Sequence, residues 1–187
     1  MDGRNIHVRE DGPSGGPPIV LVHGFLCSMR WFERLTPLLA DDFRLVRTDL
    51  LGHGCSAKPN WGYAPEDQGG ILDDLLGHRG VTGATVLGHS LGADVAVALA
   101  ERGGKVGKLI VIDEGPDYKV AYPPAVNTVL RLPGLGRLMY RTLPTCAFRI
   151  ALESFFAPGY RLADAFDTPG PAVDDARAVP YACFLSS

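Results

Sequence analysis

The sequence predicts an α/β fold, with a doubly wound, mostly parallel sheet followed by a helical cap segment. Over residues 1–115, runs of aliphatic and β-branched residues alternate with stretches of helical periodicity, the pattern of strands joined by crossover helices. Several of these runs are continuously apolar, as in strands buried on both faces of a sheet. After residue 115 the chain becomes rich in proline and short amphipathic pieces, and its pattern predicts no further buried strand.

The first part of the chain predicts three strands, with one helix between the second and the third. "RNIHVRE" at 4–10 alternates in polarity and predicts a half-exposed strand, and the glycine- and proline-rich "DGPSGGPP" predicts a turn after it. "IVLVHG" at 19–24 predicts a buried strand. "MRWFERLTPLLAD" at 29–41 has apolar residues at helical spacing, and "FRLVRTDL" at 43–50 predicts the next strand.

The second half repeats the same rhythm. A glycine-rich loop at 51–63 precedes a predicted helix at 65–80, and "ATVLG" at 84–88 predicts a strand. A helix at 91–102 and a strand at 108–115 follow. Because right-handed crossovers bring the carboxyl ends of parallel strands to one rim, we expect the functional residues there. The candidates at these ends are His23-Gly24-Phe25, the segment Asp49 to Ser56, Ser90 and Asp113.

The change in composition and periodicity near residue 115 predicts two units, a core at 1–115 and an incomplete helical cap at 116–187. The cap segment contains a set of large apolar side chains. These are Leu130, Leu132, Leu135, Leu138, Met139, Phe155 and Phe156. They indicate either a binding surface for a hydrophobic acyl or alcohol group or simply buried residues of the cap, and the sequence leaves both interpretations open.

Composition excludes several classes of function. The net charge is −3 and no basic run is longer than a pair, so neither nucleic acid nor an anionic membrane surface is an expected partner. The apolar runs are too short to span a bilayer. The four cysteines show no C-x-x-C spacing, which favours reduced thiols in a cytoplasmic protein.

A serine stands between two glycines in "GHSLG", with a buried strand predicted before it and a helix after it. This context is typical of a nucleophile elbow, in which a sharp turn holds the serine hydroxyl above the sheet. Gly88 and Gly92 fit such a turn because larger side chains there would collide. The alternative is that Ser90 caps the following helix.

A second motif, "HGFL" at 23–26, follows the first buried strand. Acyl transfer needs backbone N–H groups that stabilise an oxyanion, and Leu91 and Phe25 are the expected donors. His23 is a conceivable base, but a role in bracing the loop by hydrogen bonds to the backbone is the preferred interpretation.

A third motif, "DLLGHGCS" at 49–56, has the glycines of a tightly turned loop. We expect Asp49 and His53 to form hydrogen bonds within it. Too few further ligands stand at suitable spacing for a metal site, so neither a metal nor a cofactor is expected.

These motifs resemble the α/β-hydrolase superfamily. "LVHGF", "DLLGHGCS", "LGHSLG" and "LIVIDEGP" occur in the family's order over residues 3 to about 115. Within the superfamily, the sequence looks like the capped, lipase- and esterase-like branch that uses a serine nucleophile. The resemblance implies that Ser90 is the nucleophile and that Phe25 and Leu91 donate the oxyanion N–H groups. Serine at this position argues against epoxide hydrolases and haloalkane dehalogenases, whose nucleophile is aspartate.

The chain departs from the family in its histidines. Family members place the acid and then the histidine after the serine, whereas no histidine follows Ser90 here. Asp113 is a possible acid, although a structural role is preferred. We therefore expect these residues to be the N-terminal part of the enzyme, interrupted within the cap, and the strand at 108–113 to expose an apolar edge.

The leading functional hypothesis is a carboxylesterase-like serine hydrolase that acts on a small-molecule ester or related acyl substrate through an acyl-enzyme at Ser90. Because the chain as given lacks a complete triad, we expect little or no esterase activity from it. One alternative is a non-catalytic small-molecule-binding homologue. Another is a cofactor-free haloperoxidase or acyltransferase that uses the same serine. The sequence indicates neither the substrate nor the oligomeric state.

Overall fold

A computed structural model describes residues 5–113, 128–129, 131–132 and 134–186. Five strands form one sheet in the order β1-β3-β2-β4-β5. The strands are β1 (Val8–Asp11), β2 (Pro18–Val22), β3 (Arg44–Thr48), β4 (Ala84–His89) and β5 (Val106–Ile112). Strand β1 pairs antiparallel with β3, and the remaining pairs are parallel. The predicted α/β class with a mostly parallel sheet is confirmed.

The register of the central strands determines which loops meet. Val22 at the end of β2 pairs with Thr48 of β3 on one side and with Gly88 of β4 on the other. The loops that follow these three strands therefore leave the sheet at the same level. They carry the three sequence motifs, which the fold brings to one rim.

The predicted helix at 29–41 is wrong as a continuous element. A single 3-10 turn spans Met29–Phe32, and a separate short helix, α1, spans Thr36–Leu39. Pro37 lies in the first turn of α1, where its missing N–H costs nothing. Deeper in a helix its ring would clash with the carbonyl four residues earlier, so the helix begins anew at Thr36.

Two longer helices lie beside the sheet, α2 (Pro65–His78) and α3 (Leu91–Glu101). They pack closely against each other at Gly69, where an added Cβ would lie 3.0 Å from the Cβ of Ala98. The backbone of Gly69 therefore sits directly on α3. Gly69, a poor helix former within "PEDQGG", thus allows the two helices to approach closely and does not end α2.

Strand β5 forms an open edge of the sheet within the described chain. Leu109, Ile110, Val111 and Ile112 are between 39% and 45% exposed. The exposed apolar edge predicted for the strand at 108–113 is confirmed. Such an edge favours association with another strand or chain.

The described residues after 133 form helices. They are α4 (Leu135–Thr142), α5 (Thr145–Glu153), α6 (Leu162–Ala165), α7 (Pro169–Arg177) and α8 (Tyr181–Ser186). Residues from this segment join the main hydrophobic core, among them Phe148, Leu152 and Phe184. No helix in the described ranges has both the length and the apolar character needed to cross a bilayer.

The apolar set predicted for the cap is largely at the surface. Leu132, Leu135, Leu138, Met139 and Phe155 are between 38% and 61% exposed. For these five residues the interpretation as simply buried residues is wrong, because short helices and the turns beside them present these side chains outward. Phe156 is partly buried against the core. Leu130 and the predicted domain boundary at 115/116 lie outside the described residues, and the boundary stays a prediction.

Candidate active site

Ser90 lies at the junction of β4 and α3 with φ 52° and ψ −126°. Its N–H donates to the carbonyl of Ile112 at 2.9 Å, and its carbonyl accepts from the N–H of Ala93 at 2.7 Å. A positive φ is uncommon for a residue with a Cβ and stores strain that the surrounding structure must hold. The backbone at Ser90 is therefore fixed between the neighbouring strand and the first turn of the helix.

The flanking glycines are required by close backbone contacts. A Cβ at Gly88 would overlap the carbonyl of Gly92, and a Cβ at Gly92 would overlap the carbonyl of Val22. Any side chain at either position would force the turn open. The glycine spacing of "GHSLG" thus reflects crowding between β4, α3 and the end of β2.

The loop after β2 passes beside this turn. A Cβ at Gly24 would lie 3.1 Å from the Cβ of Ser90, so Gly24, the residue before Phe25, runs next to the serine. Leu91 is the first residue of α3, where backbone N–H groups have no partner within the helix. Within the described chain, the N–H groups of Phe25 and Leu91 donate no recorded hydrogen bond. Two unused backbone donors therefore belong to the residues beside Ser90.

His23 braces the loops, as the sequence predicted. Its Nδ1 lies 2.8 Å from the carbonyl oxygen of Gly24, and its Nε2 accepts a hydrogen bond of 3.0 Å from the N–H of Leu50. The ring is 1% exposed, and burial lowers the pKa of His23. With both nitrogens engaged, His23 joins the loops after β2 and β3.

Asp49 organises the loop after β3. One carboxylate oxygen accepts from the N–H of Met29 at 2.8 Å. The other accepts from the N–H of Cys55 at 2.9 Å and lies 2.8 Å from Nδ1 of His7. Burial raises the pKa of Asp49, but these hydrogen bonds outweigh it and hold the pKa below its usual value. The predicted role of Asp49 in shaping this loop is confirmed.

His7, Asp49 and Cys55 are also the residues that come nearest to a metal site in the described chain. Their potential ligand atoms lie within 4.8 Å of one another. Because both oxygens of Asp49 are already used by backbone N–H groups and by His7, the structural role explains this cluster, and no metal is assigned to it.

His53 is completely buried. Its Nδ1 lies 3.2 Å from the carbonyl oxygen of Leu51, and its Nε2 lies 4.0 Å from Sγ of Cys183. The ring packs edge-on against those of His23 and Phe25. Burial, helped by the nearby His23, lowers the pKa of His53 to about 3. His53 is therefore a neutral core residue held between the rim loops and α8.

His89 directly precedes Ser90, and its recorded contacts lead elsewhere. Nε2 lies 3.9 Å from Oδ2 of Asp113. The ring stacks on Trp31, with the centroids 6.5 Å apart. Asp113 follows β5 with φ 50°, and its side chain is 81% exposed. Asp113 thus lies on the same rim as Ser90, and its recorded partner there is His89.

The role of Trp31 was not predicted from the sequence, in which it counts only as one of the apolar residues at helical spacing. Its ring stacks on Phe156 with centroids 5.3 Å apart and meets Phe166 edge-on at 5.5 Å. Its buried Nε1 has no hydrogen-bond partner among the described residues. Trp31 therefore joins the rim next to Ser90 to the helical segment. The only hint in the sequence was the position of this large aromatic residue shortly after the "HGF" motif, close to the rim.

The rim thus combines a serine at a strained turn with two unused backbone N–H donors. All five histidines lie in the described chain. Four of them, His7, His23, His53 and His89, have partners at the rim or in the core, and His78 is exposed at the end of α2. None of them has a recorded hydrogen bond to the hydroxyl of Ser90. This arrangement could orient a serine hydroxyl toward an oxyanion site, and among the described residues no histidine is hydrogen-bonded to that hydroxyl.

A family model described as "alpha/beta hydrolase fold" matches residues 17–141. Two curated proteins are similar over most of the chain. The magnesium-chelatase 30 kDa subunit of Rhodobacter capsulatus is 29% identical over an alignment 188 residues long, which covers 96% of this chain and 61% of that protein. The 2-(acetamidomethylene)succinate hydrolase of Mesorhizobium japonicum is 35% identical over an alignment 167 residues long, which covers 82% of this chain and 59% of that protein. The chain thus spans about three fifths of the length of these relatives.

Solved structures show the same fold. An esterase from Exiguobacterium antarcticum superposes with a TM-score of 0.78 at 22% identity, covering 100% of this chain and 71% of the esterase. At this level of identity the likeness concerns the fold alone.

Proposed function

The chain belongs to the α/β-hydrolase family, and we propose that it is the nucleophile-bearing part of a serine hydrolase acting on an ester or related acyl substrate. One observation carries the proposal. Ser90 has φ 52° between β4 and α3, with crowded glycines on both sides and the unused N–H groups of Phe25 and Leu91 beside it. A serine that only capped the helix would not need this strain, and its side chain makes no capping hydrogen bond.

In the proposed reaction, Oγ of Ser90 attacks the carbonyl carbon of the substrate while its proton passes to a general base. The carbonyl oxygen becomes an oxyanion that accepts hydrogen bonds from the N–H groups of Phe25 and Leu91. The bond to the leaving alcohol then breaks, the alcohol takes up the proton, and an acyl-enzyme remains. Water hydrolyses the acyl-enzyme by the same steps and releases the acid.

We further propose that the general base and its acid come from outside these 187 residues. The described histidines support this, because His23 and His53 are buried and engaged, and His89 contacts Asp113 and Trp31. In this proposal Asp113 is a structural partner of His89 and not the acid of the catalytic triad. Without a base a serine hydroxyl is a weak nucleophile. The chain by itself is therefore expected to be nearly inactive.

The substrate class follows from the same features. A backbone oxyanion site suits acyl carbonyls generally, and the relative from Mesorhizobium japonicum is named a hydrolase. Both favour hydrolysis of a small-molecule acyl compound. The exposed apolar residues around α4 and Phe155 are consistent with a hydrophobic acyl or alcohol group.

Hydrolysis of 4-nitrophenyl butyrate tests the proposal, with imidazole added as a substitute for the missing base. Without imidazole, we expect the chain and its Ser90→Ala variant to have the same low rate. With increasing imidazole, the chain should exceed Ser90→Ala by about tenfold or more after imidazole's own hydrolysis is subtracted, because a base recovers part of the several orders of magnitude lost with it. Equal rates for the two proteins at every imidazole concentration would contradict the proposal.

A non-catalytic binding role is the second candidate, favoured because no histidine is hydrogen-bonded to the hydroxyl of Ser90. That function requires saturable binding of an ester that Ser90→Ala leaves unchanged, with no hydrolysis even in imidazole.

A further inference from the structure

A cavity of about 720 Å³ opens among α4, α7 and α8 of the helical segment. Its volume lies within the range of small-molecule sites in proteins. Three guanidinium groups line it, those of Arg137, Arg141 and Arg177. Among the described lining residues none is acidic, so the cavity is positively charged.

The positive charge of this cavity is not balanced within the described chain. Arg137 and Arg141 form no recorded hydrogen bond or ion pair with any residue. Arg177 donates only to the neutral hydroxyl of Thr145, at a distance of 3.4 Å. Arg137 and Arg141 stand four residues apart on one face of α4, where like charges repel and destabilise a helix. A bound anion would remove that repulsion.

The remaining wall is aromatic and apolar. The Tyr140 hydroxyl donates to the carbonyl of Val179 at 3.1 Å, which holds the ring in place. The ring of Phe148 meets Tyr140 edge-on with centroids 5.9 Å apart, and Tyr181 lies 5.7 Å from Tyr140. Leu143 and Leu185 complete an apolar surface. The cavity thus offers a fixed apolar wall beside three cationic groups.

We propose that this cavity binds a small organic acid in which a carboxylate or phosphate group is attached to an apolar body. The guanidinium groups of Arg137, Arg141 and Arg177 bind the oxyanion, because their planar N–H pairs match carboxylate and phosphate oxygens. The body of the ligand packs on Tyr140, Phe148 and Tyr181. This site is separate from the proposed chemistry at Ser90, and its occupancy does not depend on that serine.

Isothermal titration calorimetry of the full 187-residue chain tests the proposal with three probes. They are naphthalene-2-carboxylate, 2-naphthyl phosphate and the neutral naphthalene-2-carboxamide. We expect at least one of the two anions to bind saturably at one site and at least about tenfold more tightly than the carboxamide, since charge-assisted hydrogen bonds are the stronger ones. Ser90→Ala should bind the anion unchanged, which separates this test from that of the proposed hydrolase activity.

Single variants show whether the arginines are responsible. Arg137→Gln and Arg141→Gln should each weaken binding of the anion about fivefold or more, an effect that grows at low salt. Arg149→Gln is the matched control, because Arg149 is exposed on α5 and pairs with Glu153 rather than lining the cavity. Circular dichroism verifies that each variant is folded. Equal affinity for the acids and the carboxamide, undiminished binding by both arginine variants, or no saturable binding would overturn the proposal.

Discussion

The imidazole Nε2 of His89 lies 3.9 Å from Oδ2 of Asp113, across the carboxyl ends of β4 and β5. The same ring stacks on Trp31, which also stacks on Phe156. The residue next to Ser90 is therefore tied to the neighbouring strand and to the helical segment. Its contacts support a structural role for His89 rather than that of a base for the proposed nucleophile.

The charge of Asp113 should control the titration of His89. Burial lowers the pKa of His89, and the carboxylate of Asp113 partly offsets this effect by favouring the protonated ring. Asp113→Asn should therefore lower the pKa of His89 further, as measured by NMR titration of the ring Cε1–H signal. Asp41→Asn removes the same charge at an exposed site in the loop before β3 and should leave that pKa unchanged. A rise in the pKa of His89 in Asp113→Asn would contradict the assigned contact.

The turn at Ser90 should not tolerate side chains beside it. Gly88→Ala places a methyl group against the carbonyl of Gly92, and overpacking of this kind costs about 1–3 kcal/mol of the free energy of unfolding, or more where backbone must move. Urea unfolding followed by circular dichroism measures the loss. Gly15→Ala is the control, because an added Cβ there meets nothing within 4 Å. Unfolding of both variants at the same urea concentration would contradict the crowding described at this turn.

Stability should fall in mild acid because of His53. Its pKa is about 3 in the folded protein, against about 6.5 for an unfolded histidine. As the pH falls below about 6.5 the unfolded chain takes up a proton that the folded protein excludes, so the free energy of unfolding decreases. The contribution of His53 reaches about 2 kcal/mol by pH 5.

Urea titrations at pH 7 and pH 5 measure this effect. His53→Asn retains a donor for the carbonyl of Leu51 but does not titrate, and it should lose less stability between the two pH values than the parent. His78→Asn, at an exposed position, should match the parent. An equal loss in His53→Asn and the parent would contradict the burial of a neutral imidazole.

Trp31 should stabilise the packing of the helical segment on the sheet. Trp31→Ala removes contacts with Phe155, Phe156 and Phe166, and we expect it to reduce the free energy of unfolding by about 3 kcal/mol. Trp61→Ala, at a site that is 52% exposed, should cost clearly less. Thermal unfolding of the two variants compares them, and an equal cost would contradict the proposed role of Trp31.

The sheet was predictable because its determinants are local. Continuous runs such as "IVLVHG" and "ATVLG" mark strands buried on both faces, and only their ends shifted by a few residues in the structure. The helix at 29–41 was mispredicted because periodicity alone ignores Pro37. Exposure of the apolar residues on α4 was not predictable, since it depends on how short helices pack on a distant surface.

The tight turn of the candidate site was predictable because the spacing of its glycines determines its backbone geometry. Gly88 and Gly92 indicate a tight turn whatever surrounds it, and the structure explains both by backbone contacts. The burial of His53 against Cys183 and the stack on Trp31 join residues far apart in the chain. Such contacts arise from tertiary packing and leave no local pattern in the sequence.

The position of the acyl group tests the proposed nucleophile most directly. The chain is incubated with 4-nitrophenyl butyrate and imidazole, quenched with acid, digested, and analysed by peptide mass spectrometry. We expect a butyryl group on Ser90, and no acylated peptide from this region in Ser90→Ala. Acylation of other residues only, at equal levels in the chain and in Ser90→Ala, would contradict an acyl-enzyme at Ser90.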